Sequence, residues 1–401
     1  MRIGVFTDSY LPYTSGVVTS ITTFNEELRR LGHEVFVFAP KYHGYRDTDE
    51  GVFRFFSVPA PTNPDYALAV PVSPRLALTV GKLELDLVHA HSPFNLGWWG
   101  ARCARRFDLP LVFTYHTLYD QYVHYVPLAG PLARDLAVRY SRRFCDRCDL
   151  VITPTRQVEA LVSGYGVRAP VRVIPTGVRL ERFQQRRAGW LRSTWGIPSD
   201  AKVCLFVGRL TREKNLDFLL RAFAMVKAMI SEAVLVIVAG GPLEQELKQL
   251  AVDLGLELDR DVVFTGRLGY DDVVDAYFDA DLFTFASVTE TQGLVLVEAM
   301  AAGLPVVAVR AFGVSDMVED GKSGVLVEPD LEQFALQVVG LLRDDSRRAA
   351  MAPVARARAE SLSSRATAAR LEHEYREVLA RHRNRRGEPS ARRRQDFMFL
   401  A

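Results

Sequence analysis

The stretch ETQGLVLVEAMAAGLPVV occupies residues 290–307 and combines two carboxylates, a glycine and an apolar run that ends in a Gly-Leu-Pro turn. The apolar run has helical character, and the β-branched residues after the turn are typical of a strand. On a continuous helix Glu290 and Glu298 would share one side, roughly 12 Å apart. One ligand could reach both carboxylates only if it were as long as a nucleotide joined to a sugar. Two solvated helix charges are the simpler interpretation of the same pattern.

Other ligand-binding groups are predicted near a strand end earlier in the second half of the chain. Strand 202–207 leads into Gly208 and Arg209, and Lys214 stands just before a helix that starts at residue 216. Glycine allows a tight turn at the end of the strand. An arginine fork and a lysine charge beside a helix start complement a diphosphate, which indicates a phosphate-binding site.

These groups are predicted to meet at one edge of a parallel sheet. Strand 233–238 runs into Gly240, and strand 282–286 delivers Glu290. In doubly wound α/β folds the carboxyl ends of the strands form the ligand-binding edge. The helix that follows would direct its first backbone N–H groups toward the phosphates. Those groups belong to Thr291, Gln292, Gly293 and Leu294.

The first half of the chain opens with a second doubly wound pattern. Strand 2–7 is followed by a turn-rich loop that ends at Gly16, and a helix and the strand 34–40 come next. The loop lacks the G-x-G-x-x-G spacing, so its single glycine is weak evidence for phosphate binding. Strand 109–115 delivers His116 at its carboxyl end, where a histidine is well placed for a site, although His89 and His91 compete for that role.

Length, composition and charge limit the classes of protein to which this chain can belong. A chain of 401 residues is expected to form two domains. With 48% apolar residues, 24% charged residues and a net charge of +2, the composition predicts a globular protein with no nucleic-acid partner. Arginines crowd residues 102–147, which indicates a solvated helix face or a surface for anionic lipid. The start of the chain lacks a signal-peptide pattern and no apolar run reaches membrane-spanning length, so a cytoplasmic location is expected.

Two motifs that could suggest metal chemistry are expected to be structural. Cys145 and Cys148 form a C-x-x-C, but the sequence has four cysteines in all and no second pair to complete a zinc site. The D-x-D triplets at 47–49 and 279–281 lie in a polar loop and at a helix-to-strand turn. We therefore predict that the activity uses neither a metal ion nor another cofactor.

Taken together, these motifs resemble the retaining glycosyltransferases of family four. The resemblance rests on Gly16 in its loop, His116 in Thr-Tyr-His-Thr, the Gly-Arg-x4-Lys-Asn at 208–215 and the Glu-x7-Glu at 290–298. It implies an α/β fold of the GT-B type, with two facing doubly wound, Rossmann-like domains and a C-terminal helix that returns to the first.

The expected domain limits follow from the alternation of strands and helices and from this fold. An acceptor-binding domain is expected over 1–178, a linker over 179–200 and a sugar-nucleotide-binding domain over 201–360. The returning helix is expected over 361–384, followed by a disordered basic tail over 385–401.

The family resemblance also implies roles for individual residues. Arg209 and Lys214 would hold the donor diphosphate and stabilise it as it leaves, Glu290 would bind sugar hydroxyls, and Glu298 would bind the ribose. Gly208, Gly240 and the residues 291–294 would complete the donor site, with the nucleobase near Arg267 and Leu268. Gly16 would let its loop approach the phosphates, and His116 would lie over the sugar. Many relatives carry Phe where this chain has Gln292, which bears on the choice of donor.

A narrower resemblance concerns the acceptor. The sequence around residues 6–21 and 114–125 is similar to that of the bacterial family members that attach α-glucose to 1,2-diacylglycerol. It implies hexose transfer from a UDP-sugar to a membrane lipid, by an enzyme held at the inner face of the plasma membrane through contact with anionic lipid. The acceptor candidates are Asp8, Tyr10, Tyr119 and His124.

Other functions stay open at this point. A family-four transferase could act on phosphatidylinositol, a soluble sugar or a polysaccharide. A sugar-nucleotide epimerase would need an acid/base set that the sequence does not reveal, and a sugar-nucleotide sensor would bind without turnover. An NAD-dependent dehydrogenase is disfavoured, because neither half carries the dinucleotide fingerprint.

Overall fold

The computed structural model describes residues 1–60, 63–71, 74–118 and 131–387, and the chain divides into two compact units. The first unit contains Met1–Thr153, Val162–Ile174 and the chain from Ala368 onward. The second contains Pro154–Leu161 and Pro175–Thr367. The helix α5 (Arg156–Gly164) therefore begins in the second unit and ends in the first.

A parallel seven-stranded sheet forms the centre of the first unit. The strands of the unit are β1 (Arg2–Phe6), β2 (Glu34–Pro40), β3 (Val52–Phe55), β4 (Ser57–Ala60), β5 (Asn63–Ala69), β6 (Leu87–Ala90), β7 (Leu111–Thr114), β8 (Leu150–Thr153) and β9 (Val171–Val173). The sheet order is β3-β2-β1-β6-β7-β8-β9, and β4 and β5 form a separate antiparallel pair. The chain order reverses between β1 and β6, where doubly wound sheets open a ligand-binding crevice.

Helices cover this sheet, and one of them comes from the far end of the sequence. The helices are α1 (Gly16–Arg30), α2 (Pro74–Lys82), α3 (Asn95–Phe107), α4 (Pro131–Cys145) and α14 (Ser364–Gly387). α1 begins where the Ser15 hydroxyl accepts a hydrogen bond from the Val18 N–H at 3.3 Å. In α14, Leu371, Tyr375 and Val378 recur at helical spacing and pack in the core with Ile3 and Val5 of β1.

The second unit contains a parallel six-stranded sheet. Its strands are β10 (Lys202–Arg209), β11 (Ala233–Gly240), β12 (Val262–Phe264), β13 (Leu282–Phe285), β14 (Val306–Val309) and β15 (Gly324–Val327), in the order β12-β11-β10-β13-β14-β15. Nearly all of their residues are buried, as expected for a sheet with both faces covered by helices. The order reverses between β10 and β13, so the predicted binding edge coincides with the switch point.

The helices of the second unit complete the α/β alternation. They are α6 (Trp190–Thr194), α7 (Leu216–Met229), α8 (Glu244–Asp253), α9 (Tyr270–Asp279), α10 (Leu294–Ala301), α11 (Val314–Met317), α12 (Leu331–Arg343) and α13 (Asp345–Ser361). The stretch 179–200 holds α6 and a short 3-10 helix, Leu180–Phe183, and it groups with this unit. Of the basic tail expected over 385–401, residues 385–387 continue α14, and the remainder lies outside the described residues.

Carboxylates of both D-x-D triplets, which could have suggested a metal site, have protein partners. Asp279 accepts hydrogen bonds from the N–H groups of Gly189 and Leu191, both at 2.8 Å. In the other triplet, Asp47 pairs with Arg54 and Asp49 with Arg29. All four cysteines are free and buried. Among the described residues, no helix combines the length and the apolar character needed to cross a membrane.

Candidate functional site

The switch point of the second sheet brings Lys214 and Glu290 together. Lys214 ends a short 3-10 helix, Arg212–Lys214, after β10, and Glu290 lies in the loop after β13. The Lys214 ammonium forms an ion pair with the Glu290 carboxylate, and their side chains are only 20% and 16% exposed. Two groups from separate strand ends thus meet as the sequence predicted. Charge-assisted hydrogen bonds of this kind are stronger than neutral ones, so each side chain orients the other.

The loop from Glu290 to Gly293 is held by hydrogen bonds on several sides. The Gly313 N–H donates to the Glu290 carbonyl at 2.9 Å, and the Thr155 hydroxyl donates to the Thr291 carbonyl at 3.0 Å. A Cβ at Gly313 would stand 2.2 Å from that same Thr291 oxygen, so the close approach requires glycine. The loop is therefore a fixed part of the second unit.

Gln292 is the main anchor of this loop, and its side chain points inward. The residue is 4% exposed. Its Oε1 accepts from the Thr176 N–H at 2.9 Å, while its Nε2 donates to the Thr176 carbonyl at 2.7 Å. The Gln292 side chain thus supports the backbone of this loop and is not free to bind a ligand.

The helix starts later than the sequence predicted. α10 begins at Leu294, after Gly293 adopts the left-handed conformation with φ of 79°. Glu290 therefore precedes the helix. The predicted separation of roughly 12 Å between Glu290 and Glu298 assumed one continuous helix, and that assumption was wrong. The reason is local, since a residue at positive φ cannot continue an α-helix.

Glu298 lies inside α10 and is surrounded by tyrosine hydroxyls from α9. Tyr270 donates to its Oε1 at 3.1 Å and Tyr277 to its Oε2 at 3.0 Å. Burial raises the pKa of Glu298 to about 6, and the two hydroxyl donors oppose that shift only in part. The Arg182 guanidinium lies 4.9 Å from the centre of the Tyr270 ring. The carboxylate is thus held in one orientation beside an exposed aromatic ring.

Glycines and arginines complete the same edge of the sheet. Arg209 is the last residue of β10 and is exposed, with Gly208 before it. Gly240 ends β11, and a Cβ there would stand 2.7 Å from Cγ of Arg267. Arg267 itself is exposed, whereas Leu268 packs partly against the core. The edge therefore offers two exposed guanidinium groups beside the Lys214–Glu290 pair, an arrangement suited to a diphosphate.

The carboxyl edge of the first sheet holds Asp8 at its switch point. Asp8 is 6% exposed, and its carboxylate accepts hydrogen bonds from the Ser92 hydroxyl and, at 3.1 Å, from the Leu96 N–H. Burial raises the pKa of Asp8 despite these donors. Tyr10 is buried beside Arg54, whose guanidinium lies 5.5 Å from its ring centre. Both acceptor candidates are therefore fixed by the protein itself.

Gly16 and the histidines lie at the same edge. A Cβ on Gly16 would find nothing within 4 Å among the described residues. His116 follows β7 and is half-buried, and its Nε2 lies 2.9 Å from Nδ1 of His91. Burial lowers the pKa of His116 to about 3, so the ring is neutral at physiological pH. The other two acceptor candidates, Tyr119 and His124, lie outside the described residues.

Comparison with known proteins identifies the family. The family description Glycosyltransferase Family 4 matches residues 14–182, and Glycosyl transferases group 1 matches residues 191–358. An alpha-monoglucosyldiacylglycerol synthase of Streptococcus pneumoniae is 37% identical over 348 residues, covering 84% of this chain and 78% of that protein. The chain belongs to glycosyltransferase family 4. A synthase of the same name from Acholeplasma laidlawii is 33% identical over 83% of this chain and 86% of its own length.

Solved structures agree with the fold of this family 4 glycosyltransferase. A sucrose-phosphate synthase of Thermosynechococcus elongatus aligns with a TM-score of 0.76 and 23% identity, covering 95% of this chain and 99% of the other. Anabaena HepE in complex with UDP and glucose aligns with a TM-score of 0.76 and 21% identity, over 94% and 100% of the two chains. The prediction of a GT-B fold with two Rossmann-like domains is confirmed.

Some residues that shape the site of this glycosyltransferase were not predicted. Tyr270 and Tyr277 are seven residues apart on α9, so they share a face of that helix, but nothing in the sequence pairs them with Glu298. The Ser92 hydroxyl and the Thr176 backbone N–H each hydrogen-bond to a partner more than eighty residues away in the sequence. Contacts of this kind depend on tertiary packing, and local sequence patterns do not encode them.

Proposed function

We propose that this glycosyltransferase moves a glucosyl group from UDP-glucose to 1,2-diacylglycerol, with retention of the α configuration, at the cytoplasmic face of the plasma membrane. The observation that carries the proposal is the 37% identity to an alpha-monoglucosyldiacylglycerol synthase over 84% of the chain. A second synthase of that name, from another organism, is 33% identical over a similar length. The donor edge of the second unit has the charges that such a reaction needs.

Cationic side chains would hold the donor diphosphate. Arg209 and Lys214 lie at the end of β10 and just beyond it, and Arg267 lies over Gly240 at the end of β11. A diphosphate gains negative charge as it leaves, and fixed cations stabilise that charge without reorganisation. We infer that these residues make the transfer independent of a metal ion.

The two glutamates would bind the donor at its sugar and its ribose. Glu290, oriented by Lys214, would accept hydrogen bonds from sugar hydroxyls. Glu298, between Tyr270 and Tyr277, would accept from the ribose hydroxyls. The amides of Gly293 and Leu294 lie between them at the start of α10, where backbone N–H groups favour an anion.

Retention would follow from attack on the same face of the sugar as the leaving group. In this proposal Glu290 binds the sugar and Glu298 the ribose, and neither forms a covalent bond to the anomeric carbon. The bond from the anomeric carbon to the UDP oxygen would break as the bond from the diacylglycerol hydroxyl oxygen forms. The acceptor proton would pass to the departing phosphate oxygen, which balances the reaction.

The lipid acceptor requires contact with a membrane, and the first unit has a surface suited to it. We define the basic aromatic surface by Phe94, Leu136 and Tyr140, which are 44%, 55% and 40% exposed, and by Arg139 and Arg143 beside them on α4. Leucine and aromatic side chains enter the lipid interface, and arginines pair with anionic headgroups.

Ring contacts fix the geometry of this surface. The rings of Phe94 and Tyr140 are nearly parallel, with centroids 6.1 Å apart, and Trp98 Nε1 donates to the Tyr140 hydroxyl at 2.7 Å. Arg147 lies 5.1 Å from the centre of the Trp98 ring. The aromatic groups therefore stay exposed in one arrangement, which supports peripheral contact with an anionic bilayer.

The experiment is a transfer assay with labelled donors and vesicles of defined composition. Purified protein is incubated with UDP-glucose or GDP-mannose and with vesicles that contain diacylglycerol, phosphatidylinositol or neither. We expect labelled α-glucosyl diacylglycerol from UDP-glucose only, with the anomeric configuration read by NMR of the product. Product on phosphatidylinositol, a soluble sugar or a polysaccharide, and never on diacylglycerol, would refute the acceptor assignment. Conversion of the donor sugar without any acceptor would indicate an epimerase instead.

A further inference from the structure

A row of buried polar side chains crosses one face of the first sheet beneath His116. His89 and His91 are two residues apart on and just after β6, so their side chains lie on the same side, and their ring centres are 4.1 Å apart. His89 contacts the Tyr375 hydroxyl at 2.5 Å and the Thr114 hydroxyl at 2.7 Å. His91 contacts His116. The row thus runs from α14 to the ligand-binding edge of the sheet.

Burial keeps all three imidazoles neutral. It lowers the pKa of His89 and His116 to about 3, and it lowers the pKa of His91 well below its ordinary value. A neutral imidazole carries one N–H and one bare nitrogen. The contact between Nδ1 of His91 and Nε2 of His116, 2.9 Å long, therefore contains a single proton.

That single proton couples the tautomers of the two rings. If His116 donates from Nε2, its Nδ1 is a bare acceptor, and if His91 donates, the Nδ1 of His116 carries the proton. In both cases the Nε2 edge of His116 is turned inward and Nδ1 is the nitrogen left for a ligand. His91 is 3% exposed, and its backbone N–H donates to the Phe6 carbonyl at 2.9 Å, so the residue offers a rigid support.

We propose that His91 is a positioning residue that holds the His116 ring with Nε2 inward and fixes which tautomer His116 presents to substrate. The proposal rests on the proposed function and on the resemblance to family four, which implies a substrate contact for His116. His91 would act through His116 and would not touch the substrate. Small errors of placement at a reacting group cost large factors in turnover, so the effect is expected on kcat more than on KM.

Two amide substitutions provide the test, because they carry the same amide group and differ by one methylene, which changes where that group lies. In His91→Asn the amide lies close to the position of Nδ1, whereas in His91→Gln it lies near the position of Nε2. We expect kcat of His91→Asn to stay within about threefold of the wild-type value. His91→Gln should lose roughly ten- to a hundredfold in kcat with little change in the KM for donor. Circular dichroism and thermal unfolding check that both variants fold.

A spectroscopic measurement separates this proposal from the proposed function. The chain is labelled with 15N-histidine, and the His116 signals are assigned by their loss in His116→Asn. We expect one dominant neutral tautomer of His116 in the wild type and in His91→Asn, and a mixture in His91→Gln. Equal kcat in the two amide variants, or an unchanged tautomer in His91→Gln, would overturn the positioning role. The tautomer can be read even if diacylglycerol is not the acceptor, so failure of one proposal leaves the other measurable.

Discussion

The side-chain amide of Gln292 makes two hydrogen bonds to one residue, accepting from the Thr176 N–H and donating to the Thr176 carbonyl at 2.9 Å and 2.7 Å. We expect Gln292→Met, which keeps the length of the side chain, to lower the free energy of unfolding by about 2–4 kcal/mol in urea titrations, because both buried bonds are lost. Gln249→Met is the control, since Gln249 is exposed and, within the part of the chain that the structure describes, its side chain bonds to Asp253 alone. Equal stability of the two variants would contradict the anchoring role.

Gly240 and Gly340 give a matched pair of glycine substitutions. A Cβ at Gly240 would stand 2.7 Å from Arg267 Cγ, while one at Gly340 on α12 would meet nothing within 4 Å. We expect Gly240→Ala to displace Arg267 and weaken UDP-glucose binding about tenfold in calorimetric titrations. Gly340→Ala should raise stability by roughly 0.5–1 kcal/mol, because alanine favours the helix. Unchanged donor affinity in Gly240→Ala would argue against a role for Arg267.

The Lys214–Glu290 pair predicts that substitution of Lys214 strongly lowers activity, whereas substitution of a lysine outside the site does not. Lys214→Ala removes a diphosphate contact and leaves a half-buried carboxylate without its cation, so kcat/KM should fall by about a hundredfold or more. Lys202 also pairs with a carboxylate, that of Asp345, but it begins β10 and so lies at the opposite end of that strand. Lys202→Ala should stay within about twofold of the wild type in initial-rate assays. Similar losses in both variants would indicate a general effect of charge.

The raised pKa of Glu298 predicts a stability that depends on pH. The unfolded carboxyl loses its proton near its ordinary pKa of 4.5, whereas the folded one keeps it up to about 6. Burial therefore destabilises the folded state progressively as the pH rises from 4.5 to 6, and the penalty persists above that window. Relative to Glu298→Gln, the free energy of unfolding of the wild type should fall by roughly 2 kcal/mol between about pH 4 and pH 7. A constant difference between the two proteins would refute the shift.

The same proton should affect donor binding. A ribose hydroxyl donates to the carboxylate, so protonation of Glu298 below about pH 6 should raise the dissociation constant for UDP-glucose up to about tenfold per pH unit. The diphosphate of UDP-glucose has no secondary ionisation in this range, unlike that of UDP, and is therefore the ligand to titrate. Glu298→Gln should bind more weakly at neutral pH but with a flat pH profile.

The basic aromatic surface predicts binding to anionic vesicles that depends on salt. An arginine near a charged bilayer contributes about 1 kcal/mol, so Arg139→Ala/Arg143→Ala should weaken sedimentation with phosphatidylglycerol vesicles roughly thirtyfold. The control Arg221→Ala/Arg347→Ala removes the same charge from exposed positions on α7 and α13. Equal losses in both double variants would show that net charge, and not this surface, controls binding.

The alternation of strands and helices could be predicted because buried strands and amphipathic helices have different apolar periods. That alternation was enough to bring Lys214 and Glu290 to one sheet edge. No element was predicted between Pro40 and Leu87, where β3 and β4 have four residues each and β4 and β5 contain proline.

The inward turn of Gln292 and the tyrosine partners of Glu298 could not be predicted, because each depends on a residue that is distant in sequence or on another helix. The start of α10 was missed because Gly293 adopts a left-handed conformation that composition alone does not reveal. Tertiary contacts thus determine which atoms of a correctly predicted stretch face the ligand.

The packing of α14 on the first sheet bears on the order in which the protein can fold during synthesis. Leu371, Tyr375 and Val378 cover apolar residues of β1, and the Tyr375 hydroxyl contacts His89, yet the ribosome makes these three residues after the whole of residues 175–367. The strands of the first sheet are therefore synthesised early, but the helix that covers one face of that sheet is synthesised last. Until α14 appears, a face of that sheet stays open to chaperones or to other nascent chains.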